Sequence, residues 1–294
     1  MSGLPPASHP TDANQKFMLL ISEINNVSDD EALSALSLSA LSRKLDSSLE
    51  LLFSHYIEST LSSLLDCRIA QLLTTPPPSL STNAAEAIAS FLRFLSRVPL
   101  NKPTIPFIPQ FLSLLSHALP HQFHMVSMSA LELLRTLCHR NFLITNAPND
   151  AYTFFVSFLP IFDNDNIINN LNDKSLTFYA GLSRYINFSL LQFLSQYFKE
   201  SSLDPPLVVM VLRFCSNFLN IMDYICTNVT NPSPAVIKLF TRMLMLYVIT
   251  FKRRQLISEH ISKFQNAELV QECHDVLNKF TSYRHHFLKF LFFS

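Results

Sequence analysis

Three histidines, His117, His121 and His124, are spaced so that they could gather on one side of a helix. Zinc would need a fourth ligand, and hydrogen-bonded partners to fix each ring tautomer. Pro120 interrupts the segment between the first two, and no HExxH pair accompanies them, so they read as surface or loop histidines. Cys138-His139 and Cys273-His274 each set a thiol beside an imidazole, the two groups of nucleophilic cysteine catalysis. Consecutive helical residues point about 100° apart, so this adjacency does not bring sulfur to nitrogen. Asp29-Asp30-Glu31 suits the positive end of a helix dipole. Asp163-Asn164-Asp165-Asn166 has the flavour of a calcium loop but lacks the central glycine and the closing bidentate glutamate. It reads as a solvated interhelical loop. These residues imply no catalytic set, no metal and no cofactor.

Residues suited to recognition are more promising. After Pro206, the positions Leu207, Val211, Phe214, Phe218, Ile221 and Ile225 alternate steps of four and three, which is one apolar helix face. Opposite them run Arg213, Ser216, Asn217, Asn220, Asp223, Tyr224 and Thr227. Lys252-Arg253-Arg254 is the tightest basic run. It reads as a helix C-terminus, where cations complement the dipole, or as a patch for acidic peptide or phosphate. The run Arg284 to Phe293 mixes basic and aromatic residues. It can close the core, bind a partner or lie on a membrane surface.

Composition says what must position such residues. The 294-residue chain is 48% hydrophobic and 15% charged, against about 25% charged in an average domain. A sizeable core is expected, not disorder. Glycine is nearly absent: Gly3 and Gly181 are the two in the chain. Hairpin turns and phosphate-cradling loops need glycine, so strands and nucleotide loops are disfavoured and an all-α fold is expected. The formal net charge is zero, which gives no basic footprint for nucleic acid. Five cysteines, none in CxxC spacing, sit among apolar residues and read as reduced core thiols. The first ten residues lack the pattern of a secretory signal, so the expected location is cytoplasmic or nuclear. Leu207 to Cys226 and Ala235 to Phe251 approach spanning length, but charged or polar residues interrupt both, and no transmembrane span is expected.

Seventeen prolines punctuate the chain, because proline is tolerated in a first turn and excluded from helix interiors. Capping sequences at Ser28-Asp29-Asp30-Glu31 and at Asn83-Ala84-Ala85-Glu86, the second with Asn83 as cap, mark helix starts. Periodicity predicts helices at about 12–26, 29–42, 46–73, 83–98, 106–119, 121–140, 150–162, 175–199, 206–229, 233–254 and 267–292. The expected organisation is a disordered tail at about 1–11, N-terminal helices at 12–73, a Pro/Ser/Thr loop at 74–82 and a helical region at 83–294, continuous with 12–73. Phe91-Leu92-Arg93-Phe94-Leu95-Ser96 is echoed by Phe111-Leu112-Ser113-Leu114-Leu115-Ser116 and by Leu190-Leu191-Gln192-Phe193-Leu194-Ser195. Taken in pairs, the helices start near residues 83, 121, 175 and 233, and the first spacing fits the 40–47 residues of a helix-pair repeat.

On proline placement, helix pairing and that echo, the chain resembles the armadillo/HEAT-type α-solenoid superfamily over roughly residues 83–292. Uneven spacing and scarce glycine depart from a regular array. The resemblance implies a right-handed superhelical stack of antiparallel pairs, about 10–12 helices in all. It also implies a non-catalytic scaffold or adaptor whose concave face carries polar side chains for other proteins, as a peptide segment or as complex subunits. On that reading the partner-binding residues are Arg213, Asn217, Asn220 and Tyr224, with Lys252, Arg253 and Arg254 as a second patch. The alternative is a structural subunit of a larger complex, its aromatic C-terminal helix buried by another chain. Homo-oligomerisation is left open.

Overall fold

The computed structural model describes residues 10–38, 49–74, 79–158 and 267–282, with the single positions 181, 234, 258 and 259. Every regular element among them is helical. Contacts divide the chain into two compact units, Met1–Ala151 and Tyr152–Ser294.

The first unit opens with α1 (Pro10–Asn26), which begins on the proline that sequence reasoning placed in the tail. It buries Ala13, Phe17, Leu20, Ile21 and Ile24, a stripe at helical spacing. Next comes α2 (Asp30–Leu36). Its cap is Asp29, whose carboxylate accepts from the Glu31 and Ala32 amides at 3.3 and 3.0 Å. Asp30 and Glu31 fill the first turn, where carboxylates meet the positive dipole end.

The long helix expected at 46–73 is three helices over its described part: α3 (Leu49–His55), α4 (Ile57–Leu65) and α5 (Arg68–Thr74). No proline explains the breaks. The buried positions account for the second: Leu61, Leu64, Cys67, Ala70 and Leu73 are each three apart. On a straight helix, a three-residue step slides about 60° around the axis, so one helix could not keep all five inside. The break at Asp66-Cys67 realigns the buried face.

Helix α6 (Thr82–Leu95) is capped by Ser81, whose Oγ accepts from the Ala84 amide at 3.0 Å. The cap expected at Asn83 is therefore corrected by two residues. Serine is as good a cap as asparagine, and it sits one residue before the first helical position. Lys102–Phe107 forms a tight 3-10 turn carrying Pro103 and Pro106, and it feeds α7 (Ile108–Ala118) with Pro109 in its first turn. Then follow α8 (His124–Leu137), the short α9 (Phe142–Asn146) and α10 (Pro148–Phe158).

In the first unit α6 lies against α8, α2 and α5, and α7 lies against α5 and α8. The sequence echo has a structural counterpart. Residues 91–96 and 111–116 share one burial pattern, two buried, one exposed, two buried, one half-buried, and Ala130 to Leu134 repeat its first five positions. Phe91, Phe94 and Phe111 are among the largest fully buried side chains. The Phe94 ring also meets Phe53 of α3 at 6.2 Å between centroids.

A polar seam joins α2, α5 and α6. Ser81 Oγ donates to Asp30 Oδ2 at 2.6 Å, Ser34 Oγ donates to Glu86 Oε2 at 3.1 Å, and Asp30 lies 3.7 Å from the Arg68 guanidinium. That guanidinium donates to the Ser28 carbonyl at 3.2 Å, and the Arg68 amide donates to Asn25 Oδ1 at 2.9 Å.

In the second unit, the end of α10 buries Phe154 and Phe155, whose rings meet edge-on at 5.3 Å. Helix α11 (Ala267–Ser282) buries Cys273. Apart from the single positions Gly181 and Pro234, the helices expected at 175–199, 206–229 and 233–254 lie outside the described residues.

Candidate functional site

A concavity in the first unit lies where the carboxyl ends of α6 and α8 meet. The Thr136 hydroxyl, in the last turn of α8, shares its proton between the carbonyl of Ser96, which closes α6, at 3.0 Å and its own Glu132 carbonyl at 3.2 Å. This bond draws the 96–100 loop against α8. The cleft between them is about 530 Å³ and is lined by Val98, Leu100, Arg135, Thr136, His139, Arg140, Phe142, Thr145 and Asn146.

Its outer wall is a turn that the sequence had to build without glycine. Arg140 and Asn141 both have left-handed backbone, at φ 50° and 63°. Asparagine enters that region readily, whereas a long side chain such as arginine is costly there, by about 1–2 kcal/mol. The Asn141 amide donates to the Cys138 carbonyl at 3.3 Å, and α9 starts at once. Asn146 folds back, its amide donating to the Phe142 carbonyl at 2.8 Å, which shapes the far rim.

Electrostatics follow from position. Arg135 stands in the last turn of α8 and Arg140 just beyond it, both exposed. Neither is in an ion pair among the described residues, and no carboxylate lines the cleft. Each helix carboxyl end contributes about half a negative charge. Two such ends cancel one guanidinium, so the mouth keeps a net charge of about +1. Val98, Leu100 and Phe142 add apolar surface.

The other sequence-predicted residues do not converge. His117 is exposed, with Nδ1 2.9 Å from the Ser113 carbonyl. His121 Nδ1 accepts from the Phe123 amide at 3.1 Å, and its ring stacks on Phe123. Burial pulls the His121 ring below its ordinary pKa. His124 is exposed at the start of α8. No group of three or more metal-ligating side chains gathers among the described residues.

Cys138 is buried while His139 is exposed, so the two side chains diverge as the helical step predicts. Cys67, Cys138 and Cys273 are buried in the core, and burial pushes the Cys67 thiol up. Cys215 and Cys226 lie outside the described residues. The stripe Arg213, Asn217, Asn220 and Tyr224 lies there too, with Lys252, Arg253, Arg254 and the Arg284 to Phe293 run. No helix among the described residues is long and apolar enough to cross a membrane.

Sequence reasoning weighed Cys138-His139 for catalysis and passed over Arg140 beside it. The signal was present: Arg135, His139 and Arg140 cluster between two helical patterns, with no acidic residue from Arg135 to Ala147.

By its described elements, the chain is an all-helical protein with a cationic cleft between two helix ends. No known protein family, curated protein or solved structure matches it.

Proposed function

We propose that this chain is a non-catalytic protein-binding scaffold, built as an armadillo/HEAT-like stack of antiparallel helix pairs. The observation that carries this reading is the packing of α5 to α8 in the first unit. α5 meets α6 and α7 meets α8, α6 lies beside α8 and α5 beside α7, and α6, α7 and α8 share one burial register. Stacks of this kind bury a continuous core between neighbours and leave rigid surfaces free for partners. The cleft at the ends of α6 and α8 is one such surface. The stripe Arg213, Asn217, Asn220 and Tyr224 is proposed as another, presenting side-chain amides one helical turn apart to a peptide backbone. Lys252, Arg253 and Arg254 are proposed as a patch for acidic segments.

The test is quantitative affinity capture on the full chain, with circular dichroism as the fold control. One or more partners captured at near-equal stoichiometry support the reading. Their selective loss from Arg213→Ala/Asn217→Ala/Asn220→Ala would place binding on the stripe. The absence of any stoichiometric partner, together with a monodisperse monomer in sedimentation, sinks both the scaffold and the alternative of a buried subunit.

A further inference from the structure

We propose that the cleft bounded by Val98, Arg135, Arg140 and Phe142 docks an acidic, extended segment of a partner protein, with a carboxylate pair beside an aliphatic side chain. This inference rests on the scaffold reading and names the chemistry of one of its surfaces.

Three observations combine. The first is charge. Arg135 and Arg140 both line the cleft, no carboxylate faces them there, and neither has an ion-pair partner among the described residues. Two guanidinium forks suit carboxylates because each offers paired parallel N–H donors.

The second is the apolar part of the lining. Leu100 and Phe142, half-buried, and the buried Val98 line the cleft, an apolar surface that a bare inorganic anion would leave wet and a leucine-like side chain would cover. Nucleic acid fits less well, because the chain has no net excess of basic residues to match a phosphate backbone.

The third is the backbone. Arg140 holds a left-handed conformation where glycine would be less strained. Strain of this kind persists only where surrounding structure enforces it, and it clusters at ligand clamps. Here Arg140 is one of the residues that line the cleft.

The chain contains no tryptophan, which gives a clean probe. A peptide Ac-Trp-Leu-Glu-Asp-Leu-amide carries the sole indole in the mixture, so its fluorescence anisotropy reports binding without a charged dye. The full chain should bind this peptide and should discriminate against the Lys-Lys counterpart. Binding should weaken as salt rises, since exposed charge pairs are screened within about 10 Å at 0.1 M.

Arg140→Gly is the key variant. It removes the guanidinium and relaxes the left-handed backbone, and circular dichroism checks that the variant folds. It should weaken the peptide about fivefold or more, and Arg135→Ala/Arg140→Gly about twentyfold or more. Lys16→Ala, exposed on α1, should leave binding unchanged.

Equal affinity for the glutamate and lysine peptides overturns the proposal, as does an Arg140→Gly variant that binds like wild type. Inorganic phosphate competing as well as unlabelled peptide also overturns it, because the apolar wall would then take no part. No binding at all sinks this inference alone. The scaffold reading is judged separately by stoichiometric capture on the full chain.

Discussion

Ser81 offers a sharp test of the first unit, because it serves two contacts at once. Its Oγ accepts from the Ala84 amide at 3.0 Å and donates to Asp30 Oδ2 at 2.6 Å. The first contact caps α6. Loss of a serine cap costs about 1 kcal/mol, within a range of about 0.5–2. The second ties α6 to α2 through a carboxylate that Arg68 also approaches at 3.7 Å. Hydrogen bonds to charged groups contribute about 1.5–3 kcal/mol, but Ser81 is exposed, and water recovers most of that when the bond is lost. Ser81→Ala should therefore destabilise the first unit by about 1.5 kcal/mol.

With a urea m-value of about 3 kcal/mol/M, that is a midpoint shift of about 0.5 M, measurable by circular dichroism. Asn83→Ala is the control. Asn83 is the cap that the sequence pattern favours, yet in the structure it lies inside α6. Its removal should stay within about 0.5 kcal/mol, as for an ordinary surface change. A double-mutant cycle of Ser81→Ala with Asp30→Asn should show coupling of a few tenths of a kcal/mol or more. If Asn83→Ala costs more than Ser81→Ala, the helix starts two residues later than described and the seam with α2 does not exist as drawn.

Four further outcomes follow from named contacts. Phe91, fully buried in α6, should cost about 3–5 kcal/mol as Phe91→Ala; a loss under 1 kcal/mol in urea unfolding would mean that α6 and α8 do not enclose it. Burial raises the Cys67 thiol pKa, so iodoacetamide at pH 8 should label Cys67 far more slowly in native chain than in urea, and equal rates by peptide mass spectrometry would contradict its placement. Burial lowers the His121 pKa from 6.5, so below that pH the unfolded chain takes up a proton that the folded chain resists. Stability should fall as pH drops below 6.5 and recover above it, with part of the fall absent in His121→Asn; an identical pH profile in that variant would refute the assignment. Arg140→Gly should raise stability by about 1 kcal/mol, because glycine occupies left-handed backbone without a Cβ clash, and a destabilised variant would show that the arginine side chain holds the turn.

Much of the fold was legible because proline and apolar spacing speak locally. Pro109 and Pro148 mark the first turns of α7 and α10, as the punctuation implied. The apolar face Ile88, Phe91, Leu92 and Leu95 is buried throughout. The breaks inside 49–74 were not legible, since no local breaker stands at Tyr56 or at Asp66-Cys67. The second arises from tertiary demand, the three-residue steps of the buried set from Leu61 to Leu73, which a local pattern cannot separate from one long helix. The choice of Ser81 over Asn83 has a similar origin. Both are competent caps, and the carboxylate of Asp30, 51 residues away in the chain, adds a second bond at Ser81. The recognition residues read from the sequence, from Arg213 to Arg254, lie outside the described residues.

The cleft was hidden for a different reason. Its residues belong to no spaced motif: Val98 and Leu100 come from one loop, Arg135 and Thr136 from the end of α8, and Phe142 and Asn146 from α9. What unites them is the hydrogen bond from Thr136 to Ser96, a contact 40 residues apart in sequence that no periodicity encodes. Scarce glycine supplies the remaining clue. A chain that makes nearly every turn without glycine must place some other residue in left-handed backbone when two helices reverse tightly. Asparagine is the low-cost choice, and Asn141 fills one of the two positions. An arginine at the other runs against backbone preference. The helix dipole accounts for a cation near the end of α8, but it would be served equally by a lysine or arginine one turn earlier, as Arg135 already demonstrates. The left-handed arginine therefore calls for a reason that folding alone does not provide, and the proposed docking of an acidic segment supplies one.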